Sequence, residues 1–221
     1  MESLPALRSR LTPAKRGFTL VEMVVVIAII MIITAIVISG QSNYNQTLVL
    51  TDTAYTVAFS VRQAQSLGLS SRSARGVTDA GYGIHAGNLG DYTLFADTER
   101  GLASPGDAWC PLGLPGTPEA KPGNCRYDAG QDQIVQTFTF ERGFTMSDVC
   151  VKNGTSALDC SVTGVDIVFM RPETRAVITA ANGASYTCAE LHIAAPGNAP
   201  IATRVVRVSQ LGEISVGQSC L

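Results

Sequence analysis

The chain has 221 residues, a formal net charge of −2, and 46% hydrophobic residues. This length allows one helix and one modest globular domain. The slightly acidic balance lacks the broad positive surface of a nucleic-acid-binding domain, which argues against nucleic acid as a partner.

A basic leader, residues 1–17, precedes a long apolar run. Its basic residues are Arg8, Arg10, Lys15 and Arg16, against one acid, Glu2. Residues 18–39 are apolar enough to form a helix that spans about 30 Å of hydrocarbon, at about 1.5 Å per residue. Because basic residues favour the cytoplasmic side of a membrane, the pattern predicts a cytoplasmic N-terminus and a C-terminal bulk outside.

One carboxylate, Glu22, lies inside this apolar run. A charged group at membrane depth is costly, so it marks a candidate functional residue that needs a cationic partner. One interpretation is that Glu22 lies near the interface and either snorkels to the membrane surface or pairs with the amine of its own chain.

The residues around this carboxylate resemble the class III signal peptide of type IV prepilins and type II secretion pseudopilins. The match consists of the basic leader, Gly17, Phe18 and Glu22. The resemblance implies that a prepilin peptidase cuts after Gly17 and that the new Phe18 amine is methylated. It also implies that Glu22 pairs with the Phe18 amine of a neighbouring subunit. The alternatives for this segment are a classical secretory signal and an uncleaved anchor.

Residues 40–70 are predicted to continue the helix with an amphipathic pattern. Residues 40–45 form a weak breaker cluster where the helix could bend or loosen. Beyond it, apolar or small residues recur at steps of three or four, which is typical of a helix that packs one face on a sheet. They are Leu50, Ala54, Val57, Val61, Ala64 and Gly68.

Residues 71–221 are predicted to form an extracytoplasmic domain rich in β-strands, with the fold class α+β. The predicted strands are 81–86, 91–96, 134–144, 146–150, 165–170, 175–179, 186–194, 204–209 and 213–216. Residues 87–90 and 211–212 are predicted hairpin turns. A Gly- and Pro-rich insertion over 101–124, which contains Trp109, is expected to be irregular.

Six cysteines in a segment predicted to lie outside the membrane indicate disulfide bonds. Short loop closure favours Cys110–Cys125 and Cys150–Cys160, and elimination leaves Cys188–Cys220. Free buried thiols are the alternative.

Signals for catalysis or metal binding are weak. His85 and His192 lie far apart in predicted strands, and no common catalytic motif is present, so neither enzymatic activity nor a cofactor is expected. Four acids flank the insertion and could form a calcium site if their loops converge. They are Asp97, Glu99, Asp128 and Asp132. The plainer interpretation is solvated loop acids, with no metal bound.

The amphipathic helix around 59–66 and the stretches 165–172 and 204–216 resemble H-type minor pseudopilins. The family resemblance implies a pilin-like fold, with a long N-terminal helix packed on an antiparallel sheet. It also implies a structural subunit of a type IV pilus or pseudopilus-like filament, with other pilin subunits, prepilin peptidase and an inner-membrane assembly platform as partners. The subunit would cross the bacterial inner membrane once before assembly, and afterwards lie in a surface or periplasmic filament. The alternative function is a single-pass anchored binding module, including an adhesion or DNA-uptake role.

Overall fold

The computed structural model describes residues 17–70, 72–78, 80–87, 90–98, 123–172, 174–197 and 203–220, without the side chains of 39–44. Within these residues the chain forms one helix followed by ten strands. It separates into two units between Tyr44 and Asn45. The fold is α+β with a pilin-like arrangement, as the sequence predicts.

The first unit contains the start of helix α1, which runs from Leu20 to Leu69. Thr19 caps it, because the Thr19 hydroxyl oxygen accepts a hydrogen bond from the Glu22 N–H at 3.2 Å. The segment Leu20–Ile38 is exposed along its whole length, with a mean hydropathy of 3.1. Length and composition therefore make it a candidate membrane span. Residues 40–45, the predicted breaker cluster, are helical.

The second unit begins with the remainder of α1. The predicted apolar stripe is the buried face: Leu50, Ala54, Val57, Val61 and Ala64 are almost completely inaccessible to solvent. Gly68 is buried as well, and a side chain there would collide with the Phe169 backbone. A glycine at this point therefore lets the last turn of α1 approach the sheet closely.

The strands form two antiparallel sheets. In chain order they are β1 (Gly81–Gly87), β2 (Tyr92–Asp97), β3 (Gln133–Phe138), β4 (Thr145–Lys152), β5 (Gly164–Phe169), β6 (Ala176–Ala180), β7 (Ser185–Tyr186), β8 (Cys188–Ala194), β9 (Thr203–Ser209) and β10 (Ile214–Val216). The six-stranded sheet has the order β3-β2-β1-β5-β6-β7, and the four-stranded sheet has the order β10-β9-β8-β4. The predicted hairpins β1–β2 and β9–β10 are present.

One apolar core joins the buried stripe of α1 to both sheets. The six-stranded sheet contributes Ile84, Ile167 and Phe169, and the four-stranded sheet contributes Leu191 and Val206. A smaller cluster lies on the opposite face of the six-stranded sheet. It consists of Phe95, Cys125, Val168, Met170 and Val177, with Tyr127 packed against it.

Two strand predictions are wrong in detail. The predicted strand 186–194 breaks at Thr187, where the chain leaves the six-stranded sheet for the four-stranded one. The Thr187 N–H and hydroxyl both donate to the Lys152 carbonyl, at 2.9 and 3.0 Å. The predicted strand 134–144 ends at Phe138, and within its predicted range Arg142 and Gly143 adopt the positive φ values of a turn, which a continuous strand excludes. The expected β region is therefore two sheets rather than one.

Candidate processing and assembly site

The predicted processing residues lie just before α1 and in its first turn. Phe18 is largely exposed, and apart from the chain neighbours of Gly17 no atom of the described residues lies within 4 Å of where its side chain would begin. Glu22 is exposed in the first turn of α1, where the partial positive charge of a helix N-terminus favours a carboxylate.

Thr19 is a helix-capping residue that the sequence analysis missed. The signal was present, since Thr19 and Glu22 have the Thr-x-x-Glu spacing of a capping box. The hydrogen bond from the Glu22 N–H is one half of that motif, and the Met23 N–H donates to the Thr19 carbonyl at 3.2 Å to begin the helical ladder. The cap thus fixes where the helix starts relative to Gly17 and Glu22.

Three of the four candidate calcium ligands lie together, whereas Glu99 lies outside the described residues. The Asp97 carboxylate accepts the backbone N–H groups of Asn124 and Cys125, at 3.1 and 2.6 Å. The Asp132 carboxylate accepts those of Thr98 and Asp128, at 2.9 and 2.8 Å. Backbone N–H groups therefore bind these oxygens, and the hydrogen bonds hold the loop around residues 124–128 against the end of β2.

Asp97 and Asp132 hold the neighbouring loop in place through hydrogen bonds to its backbone. Burial is the main cause that raises the pKa of Asp97 well above its usual value, and the negative charge of Asp132 adds to it. The hydrogen bonds from Cys125 and Asn124 oppose that rise, and the charge of Asp128 reinforces it. In the part of the chain that the structure describes, no three acidic, histidine or cysteine side chains are arranged to hold a metal ion.

Each histidine contacts a buried carboxylate, which the sequence analysis did not anticipate. His85 Nδ1 lies 2.6 Å from Asp166 Oδ1 across the β1–β5 pair, and its ring lies 4.8 Å from that of Tyr127. His192 Nε2 lies 2.9 Å from Glu190 Oε2. The two histidines are on different sheets, so the structure does not bring them together.

The buried Glu190 lies under a C-terminal tail, residues 217–220. The Cys220 N–H donates to Glu190 Oε1 at 2.5 Å, and the Lys152 ammonium donates to the Cys220 carbonyl at 3.3 Å. The Gly217 N–H donates to the Val205 carbonyl at 2.8 Å. These contacts hold the tail against the outer face of the four-stranded sheet.

Disulfide bonds pair Cys150 with Cys160 and Cys188 with Cys220. These are two of the pairings that the sequence predicts. The first lies beside an isolated bridge between Val151 and Asp159 and closes the loop between them. The second attaches the C-terminal tail to β8. Cys125 is also disulfide-bonded, and its predicted partner, Cys110, lies outside the described residues together with Trp109.

Two arginines of β9, Arg204 and Arg207, have different partners. Arg204 donates to the Thr51 hydroxyl of α1 at 3.3 Å, whereas Arg207 forms an ion pair with Glu213 at 2.7 Å. The two side chains lie on opposite faces of β9, as their spacing predicts. Their charges are therefore used within the fold rather than gathered on one surface.

A family model described as the prokaryotic N-terminal methylation motif matches residues 12–38. No curated protein and no solved structure matches the chain. The matched range includes Gly17, Phe18, Thr19 and Glu22, and the motif implies processing by prepilin peptidase and assembly as a pilin. Proteins with this motif are structural rather than enzymatic. With the motif at residues 12–38, an exposed apolar helix and antiparallel sheets behind it, the chain has the features of a type IV pilin-like protein.

Proposed function

We propose that this chain is a structural subunit of a type IV pilus or pseudopilus-like filament. Prepilin peptidase removes residues 1–17, the Phe18 amine is methylated, and the subunit enters the filament through its N-terminal helix. The observation that carries the proposal is the methylation motif joined directly to a capped, exposed apolar helix.

The exposed apolar surface of Leu20–Ile38 needs an apolar environment that shields it from water. Exposed large hydrophobic side chains follow one another along this segment, and none of it is buried within the chain. Such a surface is stable in a lipid bilayer or against other apolar helices, because burial of apolar area is favourable at about 25 cal/mol per Å². A membrane before assembly and neighbouring helices afterwards satisfy this requirement in turn.

In this proposal, Glu22 aligns the N-terminal helices of neighbouring subunits. Its carboxylate lies in the first turn of an otherwise apolar segment, where an unpaired charge is costly. The Phe18 amine created by cleavage is a cation on the same stretch of a neighbouring chain. Pairing the two aligns adjacent helices, because any other stagger leaves both charges in an apolar environment.

The proposed orientation places the second unit outside the cytoplasmic membrane. The excess of Arg and Lys in residues 1–17 favours a cytoplasmic N-terminus. Two described disulfides favour an oxidising compartment for the sheets. In this arrangement an inner-membrane assembly platform is the partner that moves the subunit from bilayer to filament. Its similarity to H-type minor pseudopilins, and with it a minor role, stays a prediction.

The first experiment tests processing with Gly17→Glu. We expect the variant to keep the leader, because a peptidase site that accepts glycine has no room for a side chain. Intact-mass measurement of membrane-extracted chain should give a precursor heavier by residues 1–17, against a wild-type chain that begins at methylated Phe18. A wild-type chain that still begins at Met1 would contradict the proposal and favour a permanently anchored binding module.

The second experiment separates the two possible roles of Glu22, pairing and helix capping. Glu22→Gln removes the charge but keeps a side chain that suits a capping box, whereas Glu22→Ala removes both. We expect both variants to be cleaved normally, and both to enter filaments at least about ten-fold less, since a lost buried pair costs more than about 1.4 kcal/mol.

Immunoblotting of sheared filaments against total membrane protein gives this ratio. Asp52→Ala, which removes an exposed carboxylate elsewhere on α1, is the control and should assemble like the wild type. Normal incorporation of Glu22→Gln would assign Glu22 to capping alone. Immunogold electron microscopy then shows whether the subunit lies along the shaft or at the tip.

A further inference from the structure

The edge strand β3 of the six-stranded sheet has an open side. Among the described residues β3 pairs only with β2, so the backbone N–H and C=O groups along its other side have no strand to bond. Such an edge is a template for one more strand. Apolar side chains accompany it, since Ile134 is 52% exposed and Val135 is 42% exposed.

A bulge explains why two adjacent apolar residues are both exposed. Ile134 lies opposite Phe95 and Gln136 lies opposite Leu94, so Val135 is an extra residue without a counterpart on β2. A regular strand would turn neighbouring side chains to opposite faces, whereas a bulge bends the strand and redirects them. The result is a β-branched pair beside the open backbone groups.

The other described edges are shorter or carry charged side chains, whereas the bulge is the protective feature that β3 has. β7 has two residues and β10 has three, which is too short to recruit a partner strand. β4 is long but carries Asp148 and Lys152, and its Val151 is bridged to Asp159. The sequence of β3, Gln-Ile-Val-Gln-Thr-Phe, contains neither a charge nor a proline.

We propose that the β3 edge binds β3 of a second copy of this chain, antiparallel and about a two-fold axis. Extended backbone is the occupant that satisfies an open strand edge, and an uncharged strand meets no like-charge repulsion from its own copy. Copies of this chain carry a net negative charge, and an uncharged strand at the contact adds nothing to the repulsion between them.

This contact is additional to the proposed assembly through α1. A two-fold contact closes on itself, whereas filament growth needs head-to-tail contacts. The β3 contact therefore joins subunits in pairs and does not depend on Glu22, so the two proposals can fail separately.

The experiment uses two full-length copies with different affinity tags, expressed together and kept in their native membranes. The photo-reactive residue p-benzoyl-L-phenylalanine replaces Val135 in one copy. The control places it at Leu211, which is 74% exposed in the turn between β9 and β10. After irradiation, purification on one tag and blotting for the other measures contact between copies. Mass spectrometry then locates the linked residues.

We expect an adduct of two copies from position 135, linked within residues 133–138, and no such adduct from Leu211. Gln136→Lys in both copies should lower the yield about ten-fold, because the charge enters a two-fold contact twice. Gln136→Asn should leave the yield unchanged, and so should Glu22→Ala. Circular dichroism and the thermal midpoint check that each variant is folded.

Three results would overturn the proposal. One is a yield at position 135 no higher than at Leu211. Another is an adduct that maps to the apolar segment Leu20–Ile38, or to a different protein. The third is a yield that survives Gln136→Lys in a folded chain, since the photo-reactive group would then report proximity without strand pairing.

Discussion

Two features of the environment of Asp97 shift the pKa of its carboxyl in opposite directions. It is fully buried at the end of β2, beside the charges of Asp132 and Asp128, and this environment disfavours its ionised form. Its oxygens also accept two backbone N–H groups from the loop that contains Gly123. A side chain at Gly123 would collide with the carboxylate, so the loop backbone packs directly against Asp97.

The raised pKa of Asp97 gives a pH dependence with a defined sign. The folded chain holds this proton at pH values where the unfolded chain, with a pKa of about 3.9, has lost it. Stability from this group is therefore complete below the unfolded pKa and is lost as pH rises through the folded pKa. We expect Asp97→Asn to flatten the fall in unfolding free energy that begins as pH rises above the unfolded pKa of about 3.9.

Urea denaturation of the full chain in detergent, repeated across this pH range, measures the slope. Asp91→Asn removes an exposed carboxylate next to the same strand and is the matched control. A slope that Asp97→Asn leaves unchanged would show that the carboxyl does not hold its proton more tightly in the folded chain.

At the scale of the element, α1 changes its environment along its length. Its first part is exposed and apolar, whereas residues from Leu50 onward bury one stripe against both sheets. Polar contacts flank this stripe, where Arg62 donates to the Ile214 carbonyl and the Ser60 hydroxyl lies 3.1 Å from that of Tyr92. The second part of α1 is thus an integral part of the globular core.

Two leucines of α1, one buried and one exposed, allow the packing of this helix to be tested by substitution. Leu50 is completely buried and Leu48 is 51% exposed. We expect Leu50→Ala to lower the unfolding free energy by about 2 to 5 kcal/mol, because it leaves a cavity in the core. Leu48→Ala should change it by no more than about 0.5 kcal/mol. Near-UV circular dichroism during urea denaturation follows this transition, and equal losses would contradict the assigned packing.

The elements that were predictable from sequence are those with a local signal. The stripe from Leu50 to Gly68 has helical spacing, and the β1–β2 and β9–β10 hairpins have glycines at their turns. The break at Thr187 has no such signal. It is set by hydrogen bonds to Lys152, 35 residues earlier, so only the tertiary fold divides that segment between two sheets.

The same distinction holds for the molecule as a whole. The motif around Gly17 and Glu22 is contiguous, and therefore visible in the sequence. The pair His85–Asp166 joins residues 81 positions apart, and only the register of β1 against β5 brings them together. The division of the strands into a six-stranded and a four-stranded sheet is likewise a property of long-range pairing.

Because Cys220 follows the last strand, the two disulfide bonds become possible in a fixed order during synthesis. Cys150–Cys160 can close while β5 to β10 are still being synthesised, but Cys188–Cys220 must wait until the last strand has been made. Until then Cys188 has no partner and Glu190 has no tail to cover it. A chain interrupted between these two cysteines therefore keeps a free Cys188 thiol and an uncovered Glu190 carboxylate, which distinguishes it chemically from a finished one.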